Sequence, residues 1–476
     1  MTRSFNAPAG ARVRRYFSMS DFAQLPLRPD LLGNLSSLGY EAMTPIQAAS
    51  LPLILKGQDV IAQARTGSGK TAAFGLGLLQ KLEVERFRVQ SLVLCPTREL
   101  ADQVARELRK LARAIHNIKI LSLCGGQPIG PQIGSLEHGA HIIVGTPGRV
   151  VDHLRKGTLQ VDDVSLLVLD EADRMLDMGF QDELDAIVAQ LPVSRQTLLF
   201  SATYPEQIAA IAEHVMNAPE RIEVEAGHAH QSIQQFFYPV KSDEERIDGL
   251  RLLLMKHRPD SAIVFCNTKR ETETVADALR SMGFTALALH GDLEQKARDL
   301  VLVRFANKSA TVLVATDVAA RGLDIDDMDA VFNFHVARDL DVHVHRVGRT
   351  GRAGNTGLAF TFFSEKEKHK IEALAEKTGK PIKEANLPAG NQRNQTTYKP
   401  PMVTLQIDGG KKQKVRPGDI LGALTGKDGI PGKAVGKISV MDNSAFVAVT
   451  RDHAKQALEK LSSGKMKGRS FRARRI

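Results

Sequence analysis

One alternation limits what this chain can fold into. The short apolar runs QSLVLCPT, HIIVGTP, SLLVLDEA and TLLFSAT are followed further along by SAIVFCNT, ATVLVATD and DAVFNF, with Ala/Leu/Glu-rich amphipathic segments between them. A run apolar at every position suits a strand covered on both faces, and a helix between two such strands makes the crossover of a parallel pair. The pattern occurs twice, with a seam near RIEVEAGHAHQS (221–232). It predicts two parallel-sheet α/β lobes, over 21–220 and 230–380. The polar stretch NLPAGNQRNQTTYKPP (386–401) reads as a linker. MVTLQI, GKISV, AFVAVT and the helical DHAKQALEKL then predict a small α+β module over 402–476.

Other architectures are excluded quickly. No apolar run approaches the ~18 residues of a membrane span. The opening MTRSFNAPAGARVRRYF carries arginines but no apolar segment of a secretory signal, so residues 1–20 read as a disordered basic tail. Cys95, Cys124 and Cys266 are far apart and unpaired in spacing, as buried thiols of a reducing cytoplasm would be.

Charge is placed unevenly. Residues 401–476 hold sixteen lysines and arginines against six acids, an excess of ten that equals the +10 of the whole chain. A neutral body with a basic end implies a polyanionic partner there. The bland alternative is an aid to solubility.

Two segments carry chemistry. In VIAQARTGSGKTAAF (60–74), an apolar strand start passes through Gly67 and Gly69 into a helix opened by Lys70 and Thr71. Glycines let backbone N–H groups converge on phosphate oxygens at a helix N-terminus. Lys70 would bridge the β- and γ-phosphates of ATP, and the Thr71 hydroxyl would ligate Mg²⁺. The strict pattern wants glycine where Ala64 stands, which leaves a plain glycine turn as the alternative. In LLVLDEADRM (166–175) a core strand runs into three carboxylates. At the carboxyl end of a parallel strand Asp170 can face the Mg²⁺ of ATP, partly through water, and Glu171 can orient or deprotonate an attacking water. A solvated acidic turn is the competing reading.

DEAD at 170–173, ARTGSGKT at 64–71 and SAT at 201–203 together resemble the DEAD-box RNA helicases, whose loop commonly has alanine at the position of Ala64. The resemblance implies two RecA-like lobes and an RNA-stimulated ATPase. It places Ala64, Arg65, Thr66, Gly67, Ser68, Gly69, Lys70 and Thr71 around the phosphates. GYEAMTPIQ (39–47) resembles the family's adenine-reading segment, with Gln47 on the adenine edge and Phe22 stacked on the ring. Asp173, Ser201, Thr203 and His345 would couple the lobes. PTRELADQ, GG and TPGR imply RNA-backbone contacts by Pro96, Thr97, Arg98, Gly125, Gly126, Thr146 and Arg149.

The second lobe has no phosphate loop, but HRVGRTGRAG (345–354) is dense in arginine. An arginine beside the transferring phosphoryl group spreads developing charge and is worth about 10³–10⁵ in rate. By resemblance, Arg349 is that finger and Arg346 a second γ-phosphate contact. For His345 a structural role stands beside the coupling role. Asp324 would lie near the ribose, with Thr316 and Arg321 near RNA and the lobe interface. Asn267 and the QxxR pair Gln295 and Arg298 would touch RNA; a solvated helix face is the alternative for the pair. The family mechanism then needs lobe closure, with ATP and RNA each favouring the closed state.

The last 75 residues resemble the C-terminal RNA-binding domain of DbpA-type helicases, an RRM-like module that recognises a hairpin of 23S ribosomal RNA; GGKK, RPGD and LGALTG carry the likeness. The usual aromatic positions hold Ser444, Phe446 and Thr404, so Phe446 alone could stack on a base. Recognition is expected from Lys411, Lys412, Lys414, Arg416, Lys437, Arg472 and Arg474. The resulting expectation is a cytoplasmic, monomeric helicase remodelling 23S ribosomal RNA in large-subunit (50S) assembly. A general RNA remodeller with a nonspecific tail and an ATP-dependent RNA clamp or scaffold are the alternatives.

Overall fold

The structure is a computed structural model that describes residues 21–64, 67–224, 233–320, 328–351, 356–379, 381–388, 397–464, 466 and 468–476. The expected N-terminal tail (1–20), Arg65, Thr66, Arg321 and Asp324 lie outside the described residues.

The first lobe is a sheet of seven parallel strands: β1 (Val60–Gln63), β2 (Ser91–Leu94), β3 (Ile120–Leu123), β4 (Ile142–Gly145), β5 (Leu166–Asp170), β6 (Gln196–Ser201) and β7 (Glu220–Glu223). Their order across the sheet is β3-β4-β2-β5-β6-β1-β7. The all-apolar runs work as read. In β5, Leu166 and Val168 enter one core cluster while Leu167 and Leu169 enter the one on the opposite face. The helix Arg98–Leu111 shows the complementary pattern. Leu100, Val104, Leu108 and Leu111 are buried at helical spacing, and the Thr97 hydroxyl caps the helix by accepting from Leu100 N. Its first turn is thereby fixed against the sheet.

The second lobe repeats the plan with β8 (Ile233–Pro239), β9 (Ala262–Cys266), β10 (Ala286–Leu289), β11 (Val312–Thr316), β12 (Ala330–Asn333) and β13 (Gly357–Phe363), ordered β10-β11-β9-β12-β13-β8 and parallel throughout. A smaller antiparallel sheet follows: β14 (Met402–Ile407), β15 (Val435–Val440), β16 (Ala445–Thr450) and β17 (Ala473–Arg475), ordered β15-β16-β14-β17. Two parallel-sheet lobes and a small α+β module are thus the fold, as the alternation implied, and the lobes are the RecA-like pair that the family resemblance implied.

The linker is anchored to the second lobe. Leu387 and Tyr398 within it, and Ala385 just before it, pack onto that lobe's core, and Tyr398 meets Phe284 edge-on at 5.9 Å. Thr397 Oγ1 donates to the Gly283 carbonyl at 2.9 Å. A polar composition hides these apolar anchors, each set among prolines, asparagines and glutamines.

The module is also fastened to that lobe directly. Thr404 lies on the sheet face of β14 opposite the module's own core, yet it is fully buried. Asn307 Nδ2 donates to Thr404 Oγ1 at 3.1 Å, and Ser309 Oγ shares a hydrogen bond with it at 2.7 Å. The Thr404 hydroxyl thus meets an amide N–H and a second hydroxyl where alone it would be costly to bury.

Candidate functional site

Strand direction gathers the first lobe's motifs on one edge. The residues at or just after the ends of β1 (64 and 67–71), β2 (96–98), β3 (125–126), β4 (146–149), β5 (170–173) and β6 (201–203) all lie at carboxyl ends, where parallel α/β sheets leave their ligand crevice.

The phosphate loop is built from backbone. Ala64 N donates to the Ser201 carbonyl at 3.0 Å, tying the loop's start to β6. Gly67 and Gly69 have φ of 78° and 93°, and Lys70 opens the helix Lys70–Lys81. A Cβ at Gly69 would lie 2.5 Å from Gln47 Nε2 and 2.9 Å from Thr44 Oγ1, so both conformation and space require glycine there. Gln47 donates to the Gly69 carbonyl at 3.1 Å and accepts from Thr44 N at 2.9 Å. The expected adenine reader is therefore a brace on the phosphate loop as well. Phe22 is buried, edge-on to Tyr40 at 6.2 Å.

The charges around this loop are incomplete in a telling way. Lys70 Nζ, Asp170 Oδ1 and Ser201 Oγ are buried without a hydrogen-bond partner. An ammonium and a carboxylate held so would each cost several kcal/mol, a large part of the ~5–15 kcal/mol by which a fold is stable. Phosphate oxygens at Lys70 and a hard, oxygen-seeking cation such as Mg²⁺ at Asp170 and Thr71 fit this donor set. Burial pushes the Asp170 carboxyl up to about 6, with Lys70 pulling against it and Glu171 adding to it.

Two neighbours are already partnered. Burial pushes Asp173 upward, but hydrogen bonds from Thr203 Oγ1 (2.8 Å) and N (3.0 Å), with Lys70 nearby, hold it below the usual carboxylate value. Glu171 turns the chain from β5 into the next helix in the left-handed region, at φ 54° and ψ 50°. Its Oε2 lies 2.8 Å from Arg174 Nη1, with side-chain exposures of only 5% and 6% for the two. Arg174 was absent from the sequence reading, although three-residue spacing on a helix after DEAD was available as a signal.

The candidate RNA loops brace each other. Gly125 N donates to Thr146 Oγ1 at 3.4 Å, and Gly126 is left-handed at φ 74°. Arg149 donates to Gln132 Oε1 at 3.0 Å and to the Gln127 carbonyl at 2.9 Å. Arg98 lies 3.7 Å from Asp102, and Pro96 and Thr97 lead into its helix.

In the second lobe Arg346 is 2% exposed and saturated. It makes a two-pronged pair with Asp317 (2.6 and 2.7 Å) and donates to Asn267 Oδ1 at 2.9 Å and the His335 carbonyl at 3.0 Å. The guanidinium expected at the γ-phosphate is thus engaged by partners of its own lobe. Asn267, expected at RNA, also donates its amide to the Val336 carbonyl at 3.3 Å while its Oδ1 anchors Arg346. Arg349, also buried, follows one turn later, with its N–H on the Arg346 carbonyl at 3.1 Å. His345 is half-buried beside it. Thr316 Oγ1 accepts from Ala319 N at 3.4 Å, and Arg298 donates to the Ala319 carbonyl at 2.8 Å. Gln295 is bonded to Asp299 at 2.7 Å.

Comparison with known proteins gives this geometry a family. A model described as DEAD/DEAH box helicase matches residues 44–211, one described as helicase conserved C-terminal domain matches 245–354, and one described as DbpA RNA binding domain matches 404–475. ATP-dependent RNA helicase DbpA of Escherichia coli (strain K12) is 55% identical over 448 residues, 94% of this chain and 97% of that protein. The chain belongs to the DEAD-box ATP-dependent RNA helicases. The DEAD-box ATP-dependent RNA helicase CshA of Bacillus subtilis (strain 168) is 46% identical over 358 residues, 75% of this chain and 72% of that one. Among solved structures, S. cerevisiae Dbp5 bound to RNA and ADP BeF3 is similar with a TM-score of 0.68 at 30% identity, covering 77% of this chain and 96% of that one. Mss116p bound to ssRNA and AMP-PNP is similar with a TM-score of 0.71 at 26% identity, covering 79% and 81%.

The helicase's C-terminal module presents charge rather than rings. Lys411, Lys412, Lys414, Arg416, Lys437, Arg472 and Arg474 are all exposed. Arg474 is paired with Asp408 at 2.8 and 2.9 Å, which discounts it as a free cation. Phe446 is 5% exposed, whereas stacking on a base needs an open ring face. No described helix is long and apolar enough to cross a membrane.

Proposed function

We propose that this helicase remodels 23S ribosomal RNA during assembly of the large ribosomal subunit, directed to it by residues 402–476. The observation that carries the reading is that the whole excess of ten positive charges sits in a module matching the DbpA RNA binding domain. The cationic groups would hold phosphates without reading sequence. Their arrangement over a folded α+β module can select one RNA shape.

In the proposed cycle Lys70 holds the β- and γ-phosphates, and the glycine-rich loop supplies backbone donors at a helix N-terminus. Mg²⁺, when bound with ATP at Asp170 and Thr71, would neutralise phosphate charge. Glu171 orients the attacking water. Arg349 adds positive charge from the second lobe, so turnover depends on RNA that both lobes hold. The solved Dbp5 and Mss116p complexes, each with RNA and a nucleotide together, support this reading of simultaneous binding. The helicase is further proposed to act as a cytoplasmic monomer.

The test is ATP turnover by the full chain across a panel of RNAs, beside a variant lacking residues 401–476. Preferential stimulation by large-subunit ribosomal fragments, lost on truncation while generic stimulation persists, is the expected result. A truncated protein that keeps the preference would place specificity in the two lobes. Equal stimulation by all RNAs would favour a general remodeller.

A further inference from the structure

At the carboxyl edge of the second sheet His335 stands two residues beyond β12, among three carboxylates. Its Nε2 lies 2.7 Å from Glu271 Oε1 and 3.6 Å from Asp243 Oδ1, and its Nδ1 lies 3.7 Å from Glu367 Oε1. Arg246 closes the cage, 2.7 Å from both Asp243 and Glu367. Asp243 and Arg246 follow β8, Glu271 follows β9 and Glu367 follows β13. One imidazole therefore joins the segments after four strands.

From this cage two routes lead to the arginine segment. The His335 carbonyl accepts from Arg346 Nη1 at 3.0 Å. Glu271 Oε2 accepts from Asn267 N at 2.8 Å, and Asn267 Oδ1 accepts from Arg346 Nη2 at 2.9 Å. The Arg346 carbonyl then receives the N–H of Arg349. Ring, carboxylate, amide and the two arginines form an unbroken polar chain.

We propose that His335 is a positioning residue: gripped by Glu271, Glu367 and Asp243, it holds the Asn267–Arg346 anchor and so places the turn bearing Arg349 for ATP hydrolysis. The inference rests on the ATPase reading above and adds to it a residue that acts through Asn267 and Arg346. A neutral imidazole has one N–H to donate, so serving carboxylates on both ring nitrogens calls for the charged form. Burial works against that charge, but the bond to Glu271 and the Glu367 carboxylate facing Nδ1 outweigh it and raise His335 to about 9. Glu367 is correspondingly lowered to about 2, its burial outweighed by bonds from His335 and Ser364. The groups facing the ring are Asp243, Glu271, Glu367 and Arg246, with Arg346 at its carbonyl. Because the folded value lies above the ordinary ~6.5 of histidine, the grip is complete below that pH and is lost as pH rises through about 9.

The experiment measures Mg²⁺-dependent ATP turnover by the full chain, stimulated by purified large-subunit ribosomal RNA, from about pH 7 to about pH 10. Wild-type kcat should fall along a one-proton limb near pH 9, with KM for ATP moving less than about twofold. His335→Gln should lower kcat about tenfold at neutral pH and flatten the limb, and His335→Lys should restore most of the rate with the limb moved upward. Glu271→Gln should draw the limb down by about one unit. A His335→Gln protein with wild-type rate and limb would overturn the proposal, as would a limb that Glu271→Gln leaves in place. If circular dichroism shows His335→Gln unfolded, the other two variants still decide. Wild-type protein with no RNA-stimulated turnover at any pH would instead overturn the ATPase reading itself.

Discussion

Arg174 grips Glu171 across 2.8 Å within one helical turn, and both side chains are almost fully buried. The proposed water-orienting carboxylate therefore has a permanent cationic neighbour on its own element. Arg174→Ala would leave a buried carboxylate alone, a loss of about 3–5 kcal/mol. The expected result is a lowered thermal midpoint together with a fall of about tenfold in RNA-stimulated kcat. Removing Glu171 as well should recover part of the midpoint but none of the turnover. A double-mutant cycle by calorimetry and ATPase assay checks both.

Lys70 and Glu171 should fail in different ways. Lys70→Ala removes the buried ammonium that meets the phosphates, so nucleotide binding itself should disappear. Glu171→Gln keeps shape and hydrogen bonding, so ATP and RNA should still bind while turnover falls about 10²–10⁴-fold. Equilibrium binding beside turnover separates the two. Undiminished turnover in Glu171→Gln would remove that residue from the chemistry.

Acid should release the nucleotide through Asp170. Its carboxyl, at about 6 in the folded chain, keeps a proton that the unfolded chain loses near 4. Ionisation thus works against folding as pH rises through that window, and a bound cation must displace the proton. Affinity for ATP with Mg²⁺ should weaken as pH falls below about 6, by up to about tenfold per unit. Calorimetric titration with and without EDTA measures this. The pH dependence should vanish when the chelator removes the metal, and also in Asp170→Asn.

Thr404 should prove to be a fastening point for the module. Thr404→Val keeps the shape but strands the Asn307 amide N–H in a buried contact, at a cost of about 1–3 kcal/mol. The expected outcome is faster proteolysis between 386 and 401 and a broader distance distribution between labels on the second lobe and the module. Turnover stimulated by ribosomal RNA should fall more than affinity for it. A variant whose distance distribution is unchanged would show that the linker contacts at Leu387 and Tyr398 suffice alone.

What could be read in advance was local. A strand covered on both faces announces itself in consecutive residues, as in LLVL, and the phosphate loop occupies eight positions in a row. Side chains whose partners lie on other elements were harder. Arg346 finds Asp317 across 29 positions and Asn267 across 79, so nothing near it in the chain reveals that its charge is already used. Thr404 finds Asn307 across 97 positions, and what reads as a missing aromatic is an interdomain hydrogen bond. Arg174 was the exception: its partner is three residues away, and helical spacing alone was enough to find it.

The contact between Gly69 and Gln47 constrains how this enzyme can be altered. Any side chain at position 69 would collide with Gln47 while forcing an unfavourable backbone, and any change at Gln47 removes a support from the loop carrying Lys70. The base reading proposed for Gln47 and the phosphate grip are therefore not independently adjustable traits. An engineer seeking a variant that consumes a different nucleoside triphosphate would have to redesign both segments at once, and single-step drift through either one is closed.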